Sequence, residues 1–334
     1  MGSRPYGVFG TDGGNYGMKV VVIGGTGHVG TYLVPRLVLA GYTVVNVSRA
    51  EQKPYKNHSA WKQVKQITVD REKEEEEGKF GETILSLKPD IVIDMICFTL
   101  KSAKQLVKAL KGHIQLFLHC GTIWVHGHSV EVPTTEDQAK HPFGEYGIQK
   151  HEIEKYLLKQ ARTKEFPVAI LQPGHIVGPG WSPSNPAGNH NPEMFSKLAK
   201  NEELLLPNFG LETLHHVHAD DVAQGFLKAI IHRNRAIGEA FHIVSPQAIT
   251  LRGYAEKVAS WFGQTANLKF LPFEQWKETV TKEESVATYD HIAHSPNCSI
   301  EKAKRLLDYQ PRYSSLEAVY EAVSWLIESG KLKV

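Results

Sequence analysis

Tyr146 and Lys150 are the first side chains that could do chemistry, and they stand four residues apart in EYGIQKHEIEKYL. Four residues make about one helical turn, so both side chains share a face of the predicted helix and the ammonium can approach the phenol. A nearby positive charge lowers the pKa of a phenol from its usual value of about 10. The tyrosine could then exchange a proton near neutral pH. Because this spacing occurs by chance in many helices, it needs a second feature beside it.

A glycine-rich stretch near the start, VVVIGGTGHVGTYLV, supplies that second feature. The G-x-x-G-x-x-G spacing follows an apolar run and enters a helical pattern. It is typical of the turn on which a dinucleotide lays its diphosphate, against the amides of a helix N-terminus. Glycines in a tight turn can also be purely structural. The position in the first strand-helix unit favours a cofactor site, formed by Gly24, Thr26, Gly27, His28, Val29 and Gly30.

The end of the second predicted strand, VVNVSRA, indicates which dinucleotide the site prefers. An acidic residue here would pair with both ribose hydroxyls of NAD, but the chain offers Ser48 and Arg49. An arginine suits the 2′-phosphate of NADP, although it could also be an ordinary exposed side chain. We therefore expect NADP(H) rather than NAD(H). Asp70, at the end of the third strand, could face the adenine or cap the next segment.

Composition favours a small-molecule protein. The chain has 334 residues, of which 41% are hydrophobic, and a formal net charge of only +2, which predicts neither nucleic acid nor membrane as a partner. Cys97, Cys120 and Cys298 fit no disulfide or zinc spacing and are expected to be buried thiols. We see no membrane-length segment or signal peptide, so we expect a cytoplasmic protein whose residues 1–17 are a leader or a disordered extension.

These residues must be positioned by a regular framework. From Met18 onward, short β-branched runs such as KVVVI, DIVIDMI and VAILQ alternate with helix-length segments. That alternation predicts an α/β fold with a Rossmann-type, doubly wound parallel sheet. The acidic run from Arg71 to Lys79 is interpreted as a solvated loop or helix start without chemistry. In TLHHVHADDVAQGFLKAI, a strand should lead into a helix capped by Asp220 or Asp221.

Beyond Pro173 the pattern changes. PGHIVGPGWSPSNPAGNHNP is dense in Gly, Pro, Asn and Ser, and irregular segments of this length are usually functional or disordered. We expect this loop to border a site. The remainder, from about Ser245, predicts helices with short strands and ends in the amphipathic helix of SLEAVYEAVSWLIES.

Taken together, these motifs resemble the extended short-chain dehydrogenases/reductases of the NAD(P)-dependent epimerase/dehydratase family, over essentially all of Met18 to Glu328. The resemblance includes FLHCGTIWVHG, LQPGHIVGPG, HHVHADDVA and SIEKAKRLLDYQPRYS, in the family's order. It implies that Thr122 takes the place of the catalytic serine or threonine, and that Lys150 also holds the nicotinamide ribose. It further implies that Pro173 and His175 border the cofactor.

The resemblance also implies a domain plan. The dinucleotide-binding domain should comprise residues 18–172 plus 214–244, and a smaller, discontinuous α+β substrate domain should comprise residues 173–213 plus 245–334. The site should lie in the cleft between them. Many relatives pair through two helices, including the one that bears the tyrosine, so a homodimer is expected.

Departures from the family pattern concern the substrate. Ile123 and Trp124 stand where dehydratases have an aspartate and a glutamate, so elimination lacks its acid/base pair. Leu214 stands where epimerases usually have an arginine for the diphosphate, although Arg233, Arg235 or Arg312 could substitute. His126 replaces a tyrosine, and His175 an asparagine. The predicted substrate pocket is accordingly more aromatic and consists of Trp124, His126, His175 and Trp181.

Histidine pairs are expected by chance among 17 histidines. His215, His216 and His218 lie on a predicted strand, where the last two share a face. Because no carboxylate or cysteine completes a ligand set at suitable spacing, we predict a structural or pocket role and no metal.

Three functions remain open. The first is an NAD(P)-dependent oxidoreductase that transfers hydride between nicotinamide and a secondary alcohol or ketone, with Thr122, Tyr146 and Lys150 as catalytic residues. The second is an epimerase of a sugar or sugar nucleotide with a retained NAD. The third is a non-catalytic relative that senses the cofactor or binds RNA. The substrate, direction and stereochemistry do not follow from the sequence.

Overall fold

The computed structural model describes residues 17–334, so the predicted leader, apart from Gly17, lies outside the described residues. The strands are β1 (Lys19–Ile23), β2 (Thr43–Ser48), β3 (Lys65–Thr68), β4 (Ile91–Asp94), β5 (Leu116–Cys120), β6 (Val168–Pro173), β7 (His175–Val177), β8 (Leu204–Pro207), β9 (Thr213–Leu214), β10 (His216–His218), β11 (Ala240–Ile243), β12 (Ile249–Thr250) and β13 (Leu268–Leu271). The helices are α1 (Gly30–Leu39), α2 (Arg71–Glu76), α3 (Phe80–Ser86), α4 (Leu100–Leu110), α5 (Gly144–Arg162), α6 (Glu193–Ala199), α7 (Ala219–Ile231), α8 (Arg233–Ala236), α9 (Leu251–Trp261), α10 (Phe273–Trp276), α11 (Lys282–His294), α12 (Glu301–Leu307) and α13 (Ser315–Glu328).

A seven-stranded sheet forms the centre of the molecule, in the order β11-β6-β5-β4-β1-β2-β3. All of its strand pairs are parallel. The strand order reverses beside β1, which has β2 on one side and β4 on the other. The predicted α/β fold with a Rossmann-type sheet is therefore confirmed. In such sheets, ligands bind at the carboxyl ends of the strands near this reversal.

Both faces of the sheet are covered, as the continuous apolar strand runs require. One core cluster packs α1, α7 and α12 on one face, and a second packs α3, α4 and α5 on the other. A third cluster lies apart from both and combines residues of α6, β8, α9 and α13. The assignment of the chain to two domains, with the boundaries given above, remains a prediction.

The predicted cap of α7 was wrong. The helix begins at Ala219, and the His218 side chain caps it by accepting the Asp220 amide at 3.0 Å. Asp220 is drawn away by a bidentate bond from Arg36 of α1, with both distances 2.8 Å, and by Arg312 at 3.2 Å. Long-range ion pairs therefore outweigh the local preference for aspartate as a cap.

The acidic run begins helix α2, which is one of the two alternatives predicted for it, but its first residue is buried rather than solvated. Asp70 caps α2, and Arg71 is only 8% exposed. Its guanidinium donates to both carboxylate oxygens of Asp94, at 2.7 and 3.0 Å, and to Glu75 at 2.7 Å. The fully buried Asp94 carboxylate at the end of β4 requires such a partner.

The prediction for the cysteines is confirmed, since Cys97, Cys120 and Cys298 are all free and buried. Among residues 17–334, none of the helices is both long enough and apolar enough to cross a membrane.

Candidate active site

The carboxyl ends of neighbouring parallel strands bring the predicted site residues to one edge of the sheet. The glycine turn follows β1, Cys97 lies shortly after β4, Thr122 follows β5 and Pro173 ends β6. These strands are consecutive neighbours in the sheet. Segments from residue 24 to residue 173 thus meet at one edge of the sheet, near the strand-order reversal.

The glycine turn is fixed by close approaches that no side chain allows. Gly24 has a φ of 84°, and a Cβ there would stand 2.8 Å from Cγ2 of Ile96. A Cβ on Gly30 would overlap the backbone of Gly25, so α1 could not begin so close to β1. The spacing seen in the sequence therefore serves the tight passage from β1 into α1.

Asn46 holds this turn and was missed in the sequence. Its side chain is fully buried on β2, where its oxygen accepts the Gly25 amide at 2.9 Å and its nitrogen donates to Gln66 at 2.7 Å. A lone asparagine inside the apolar run YTVVNV was the available signal, because a buried amide requires partners.

The chemistry of the turn suits a dinucleotide diphosphate. α1 begins at Gly30 without any side-chain cap, since Val29 occupies the cap position. The Thr31, Tyr32 and Leu33 amides already donate to Gly27 and Val29, so the amides just before them are the ones that can serve an anion. A Cβ on Gly27 would meet nothing closer than 3.5 Å, so the backbone there is open to an incoming group. The turn therefore fits the cofactor that the motif predicts.

Ser48, Arg49 and Asp70, the residues predicted at the adenosine end, differ in how far their side chains are free to bind a ligand. The Arg49 side chain is 62% exposed and pairs with Glu51 at 3.2 Å. The Ser48 hydroxyl accepts the Ala50 amide at 3.3 Å. Asp70 accepts the Lys73 amide at 3.2 Å as the cap of α2, which was the alternative open for it. Ser48 and Arg49 thus remain candidates for a ribose phosphate, whereas Asp70 already has a structural role.

Thr122 and Tyr146 are brought together by a close helix contact. Thr122 follows β5, and its hydroxyl accepts the Trp124 amide at 3.2 Å, which starts a short 3-10 turn. Tyr146 lies in the first turn of α5. Gly147 beside it is packed so near this turn that a Cβ would stand 3.2 Å from the Trp124 carbonyl oxygen. The Thr122 hydroxyl lies close enough to the phenol to lower the pKa of Tyr146.

Lys150 lies one helical turn below Tyr146 and is 2% exposed. Its Nζ donates to the Cys97 and Cys120 carbonyl oxygens at 2.9 and 2.8 Å, and lies 5.9 Å from the centre of the Tyr146 ring. Burial lowers the pKa of this ammonium from its usual value. The two carbonyls hold the positive charge beneath the tyrosine.

The predicted lowering of the Tyr146 pKa by Lys150 is not found. Although the residue is 45% exposed, packing around its hydroxyl raises the pKa to about 12, and the nearby Thr122 hydroxyl offsets this only in part. Desolvation opposes formation of the phenolate. The phenol is therefore protonated at neutral pH and can donate a proton.

Trp181 lies against the glycine turn after β1 and not beside Trp124. Its ring stacks on His28 of the glycine turn, with centroids 3.6 Å apart and planes 3° apart, and Tyr55 completes the group at 5.2 Å from Trp181. Three separate segments therefore meet over the turn. We call His28, Tyr55 and Trp181 the ring clasp.

The other predicted pocket residues fall into two groups. Trp124 lies edge-on to Tyr146, with centroids 6.1 Å apart, and His175 accepts the Ser184 amide at 3.1 Å within the Gly/Pro-rich loop. His126 instead turns away and bonds to His242 of β11 at 2.8 Å. It is 6% exposed, and its side chain contacts the central sheet and not the Trp124 ring.

His215, His216 and His218 are buried and engaged separately. Nε2 of each meets a different partner, Ser245, Ser184 and Glu321 respectively. Within residues 17–334, no set of three or more His, Cys, Asp or Glu side chains is arranged to hold a metal ion.

Sequence comparison relates the chain to a known protein family. The model of the NAD dependent epimerase/dehydratase family matches residues 20–243. The chain is 24% identical over 315 residues to 2'-dehydrokanamycin reductase of Streptomyces kanamyceticus, covering 94% of this chain and 86% of that protein.

Two solved structures share the fold. UDP-glucose 4-epimerase from Thermotoga maritima, solved with UDP-glucose, has a TM-score of 0.72 at 21% identity and covers 93% of this chain and 99% of its own. UDP-glucuronic acid 4-epimerase from Bacillus cereus, solved with NAD, has a TM-score of 0.71 at 19% identity with the same two coverages. At these identities the likeness shows the fold alone.

Proposed function

Since the chain belongs to the NAD dependent epimerase/dehydratase family, we propose that it is an oxidoreductase that transfers hydride between a nicotinamide cofactor and a secondary alcohol or ketone. The observation that carries this is the juxtaposition of Thr122, Tyr146 and Lys150 at the carboxyl edge of the sheet, next to the glycine turn. The protonated phenol is the form that can donate a proton when a ketone is reduced.

The bound cofactor supplies the hydride. The Thr122 hydroxyl, which faces the phenol, orients the substrate oxygen by a hydrogen bond. Tyr146 donates the proton from its hydroxyl to that oxygen as the carbonyl becomes an alcohol. The Lys150 ammonium, held by two carbonyls, stabilises the negative charge that develops on the phenol oxygen.

We further propose that NADP(H) is preferred. Arg49 stands at the end of β2 with an exposed guanidinium, and its present partner Glu51 is equally exposed. Such a surface ion pair is weak, so a ribose 2′-phosphate can compete for the guanidinium. The family description and the NAD-bound relative support a nicotinamide dinucleotide in general. A homodimer is also part of the proposal.

Ketone reduction has additional support from the relative in Streptomyces kanamyceticus, which is by name a reductase of a dehydro compound. Elimination receives none, since Ile123 and Trp124 occupy the positions after Thr122. The relative's own substrate is not transferred to this chain at 24% identity.

Epimerisation with a retained cofactor is the second candidate, and the ring clasp favours it. Rings from three segments close over the turn on which the diphosphate would lie, and such a cover would slow release of the cofactor. Against it, the position expected to hold an arginine is Leu214, which is 1% exposed in the third core cluster.

Turnover by Tyr146→Phe tests the proposal. The variant should lose activity by about a hundredfold or more on any ketone that the wild type reduces, because the proton donor is gone, and should bind NADPH as before. Tyr156→Phe, on the same helix, is the matched control and should retain activity. The consumption of NADPH and the nucleotide released on denaturation are measured together.

The possible results discriminate between the three candidate functions. Undiminished turnover in Tyr146→Phe would contradict the assigned proton donor. Stoichiometric NAD released from purified wild type, with no net consumption of added cofactor, would favour the epimerase. Cofactor binding without turnover on a broad panel would favour the non-catalytic alternative.

A further inference from the structure

A continuous stack of rings lies beside Tyr146. His128 stacks on Phe143 at 4.4 Å, Phe143 on His294 at 4.1 Å, and His294 on Trp124 at 4.3 Å, all with planes within 27° of parallel. Trp124 then presents its edge to Tyr146 at 6.1 Å. We call His128, Phe143, His294 and Trp124 the ring stack. Its last member is half-buried, so its ring is held in place and still reachable.

Imidazoles from two further elements extend this ring stack toward the loop. His291 of α11 lies 5.3 Å from Trp124, and it also lies 5.8 Å from His190 and 5.5 Å from His175. Burial lowers the pKa of His291 and His294 to about 4 and lowers the pKa of the other two as well. All four imidazoles are therefore neutral at physiological pH, and a neutral imidazole offers one donor and one acceptor.

The cations that could accompany a diphosphate are held elsewhere. Leu214 occupies the predicted arginine position and is buried. Of the three arginines that could substitute for it, Arg312 bonds to Asp220, while Arg233 and Arg235 lie on α8, which packs against α7 and α12. The Lys150 ammonium already donates hydrogen bonds to two backbone carbonyls.

These features discriminate between classes of substrate. Beside Tyr146, a diphosphate that meets no matched cation among residues 17–334 loses hydration that neutral imidazoles cannot replace. The apolar face of a hydroxylated ring gains by packing on an indole, and its hydroxyls can hydrogen-bond with the imidazole nitrogens that remain, such as Nδ1 of His175, whose Nε2 accepts the Ser184 amide.

We infer that the substrate is a phosphate-free, hydroxylated ring compound whose apolar face stacks on Trp124, and not a nucleoside diphosphate sugar. This rests on the proposed function, because it concerns the same cleft and places the reacting carbon next to Tyr146. His190 and His175 then face the ring's hydroxyl groups. Trp124 determines specificity, while Tyr146 remains the proton donor.

Binding to the NADP-loaded full-length protein tests the inference without turnover. The probes are UDP-glucose and p-nitrophenyl β-D-glucoside, measured by calorimetry and saturation-transfer NMR. We expect the glycoside to bind saturably and UDP-glucose to show no saturable binding up to millimolar concentration. In Trp124→Leu, glycoside affinity should fall at least about tenfold, the loss expected for one stacked aromatic ring. Trp261→Leu, a tryptophan that contacts Tyr320 instead, should match the wild type.

Micromolar affinity for UDP-glucose would overturn the inference and leave the proposed function standing. Glycoside binding that is absent, or that is equally strong in Trp124→Leu, would overturn it as well. Failure of the protein to bind NADP or NAD at all would instead contradict the proposed function. Unchanged NADP affinity in Trp124→Leu confirms that this variant is folded.

Discussion

Replacing Asn46 by alanine removes the side chain that holds the glycine turn and leaves the glycines of the turn unchanged. The side chain accepts the buried Gly25 amide at 2.9 Å, and no other acceptor replaces it when the side chain is cut back. An orphaned buried amide costs about 1–3 kcal/mol. We therefore expect the free energy of unfolding to fall by about 2 kcal/mol, and Tm by roughly 3 °C in a chain of 334 residues.

Cofactor affinity should fall as well, because the diphosphate must then order a turn that Asn46 no longer holds. We expect Kd for NADPH to rise by up to about tenfold, measured by fluorescence titration beside thermal unfolding. Gln66→Ala is the matched control. It removes the exposed partner of the Asn46 amide nitrogen, which water can replace, so both quantities should stay near wild type.

The reasoning would be refuted by an Asn46→Ala variant that melts with the wild type and binds NADPH equally well. It would also be refuted if Gln66→Ala cost as much as Asn46→Ala. In either case the bond to Gly25 would not be what holds the turn.

Arg49→Ala should raise Kd for NADPH about tenfold and leave Kd for NADH unchanged, and equal effects on both would contradict the 2′-phosphate assignment. Trp181→Ala opens the stack on His28 and should speed NADPH release in stopped-flow experiments, whereas an unchanged rate would show that the clasp is no cover. His291 and His294 have folded pKa values of about 4 against 6.5 when unfolded, so the unfolded chain takes up protons first as the pH falls. Stability should drop from pH 6.5 toward 4, by up to about 2 kcal/mol per histidine between pH 7 and 5, and urea unfolding of His294→Phe should show a shallower loss than wild type.

The sheet was predictable because its signals are local. Apolar runs of strand length, separated by helical patterns, identify buried parallel strands without reference to distant residues. The glycine turn was predictable for the same reason, since its spacing follows from one strand passing directly into one helix. The position of Lys150 below Tyr146 follows from helix geometry alone.

Features set by distant partners were not predictable. Asp220 has the residue type and position of a cap, yet Arg36 and Arg312 draw its carboxylate away. Trp181 in the Gly/Pro-rich loop gave no sign that its ring would stack on His28. The direction of the Tyr146 pKa shift depends on how closely the surrounding chain desolvates its hydroxyl, which spacing along a helix does not reveal.

The contacts that the carboxylates of α7 make bear on how the chain folds while it is being synthesised. Asp221, 1% exposed, accepts the Arg312 and Tyr313 amides at 2.8 and 3.1 Å, and its pKa is still raised to about 6 by burial. A nascent chain that ends before these residues carries the whole central sheet with this carboxylate unsupported. Residues 312 and 313 are therefore needed to complete a segment made some 90 residues earlier, and losing Arg312 would also leave Asp220 with Arg36 of α1 as its remaining arginine partner.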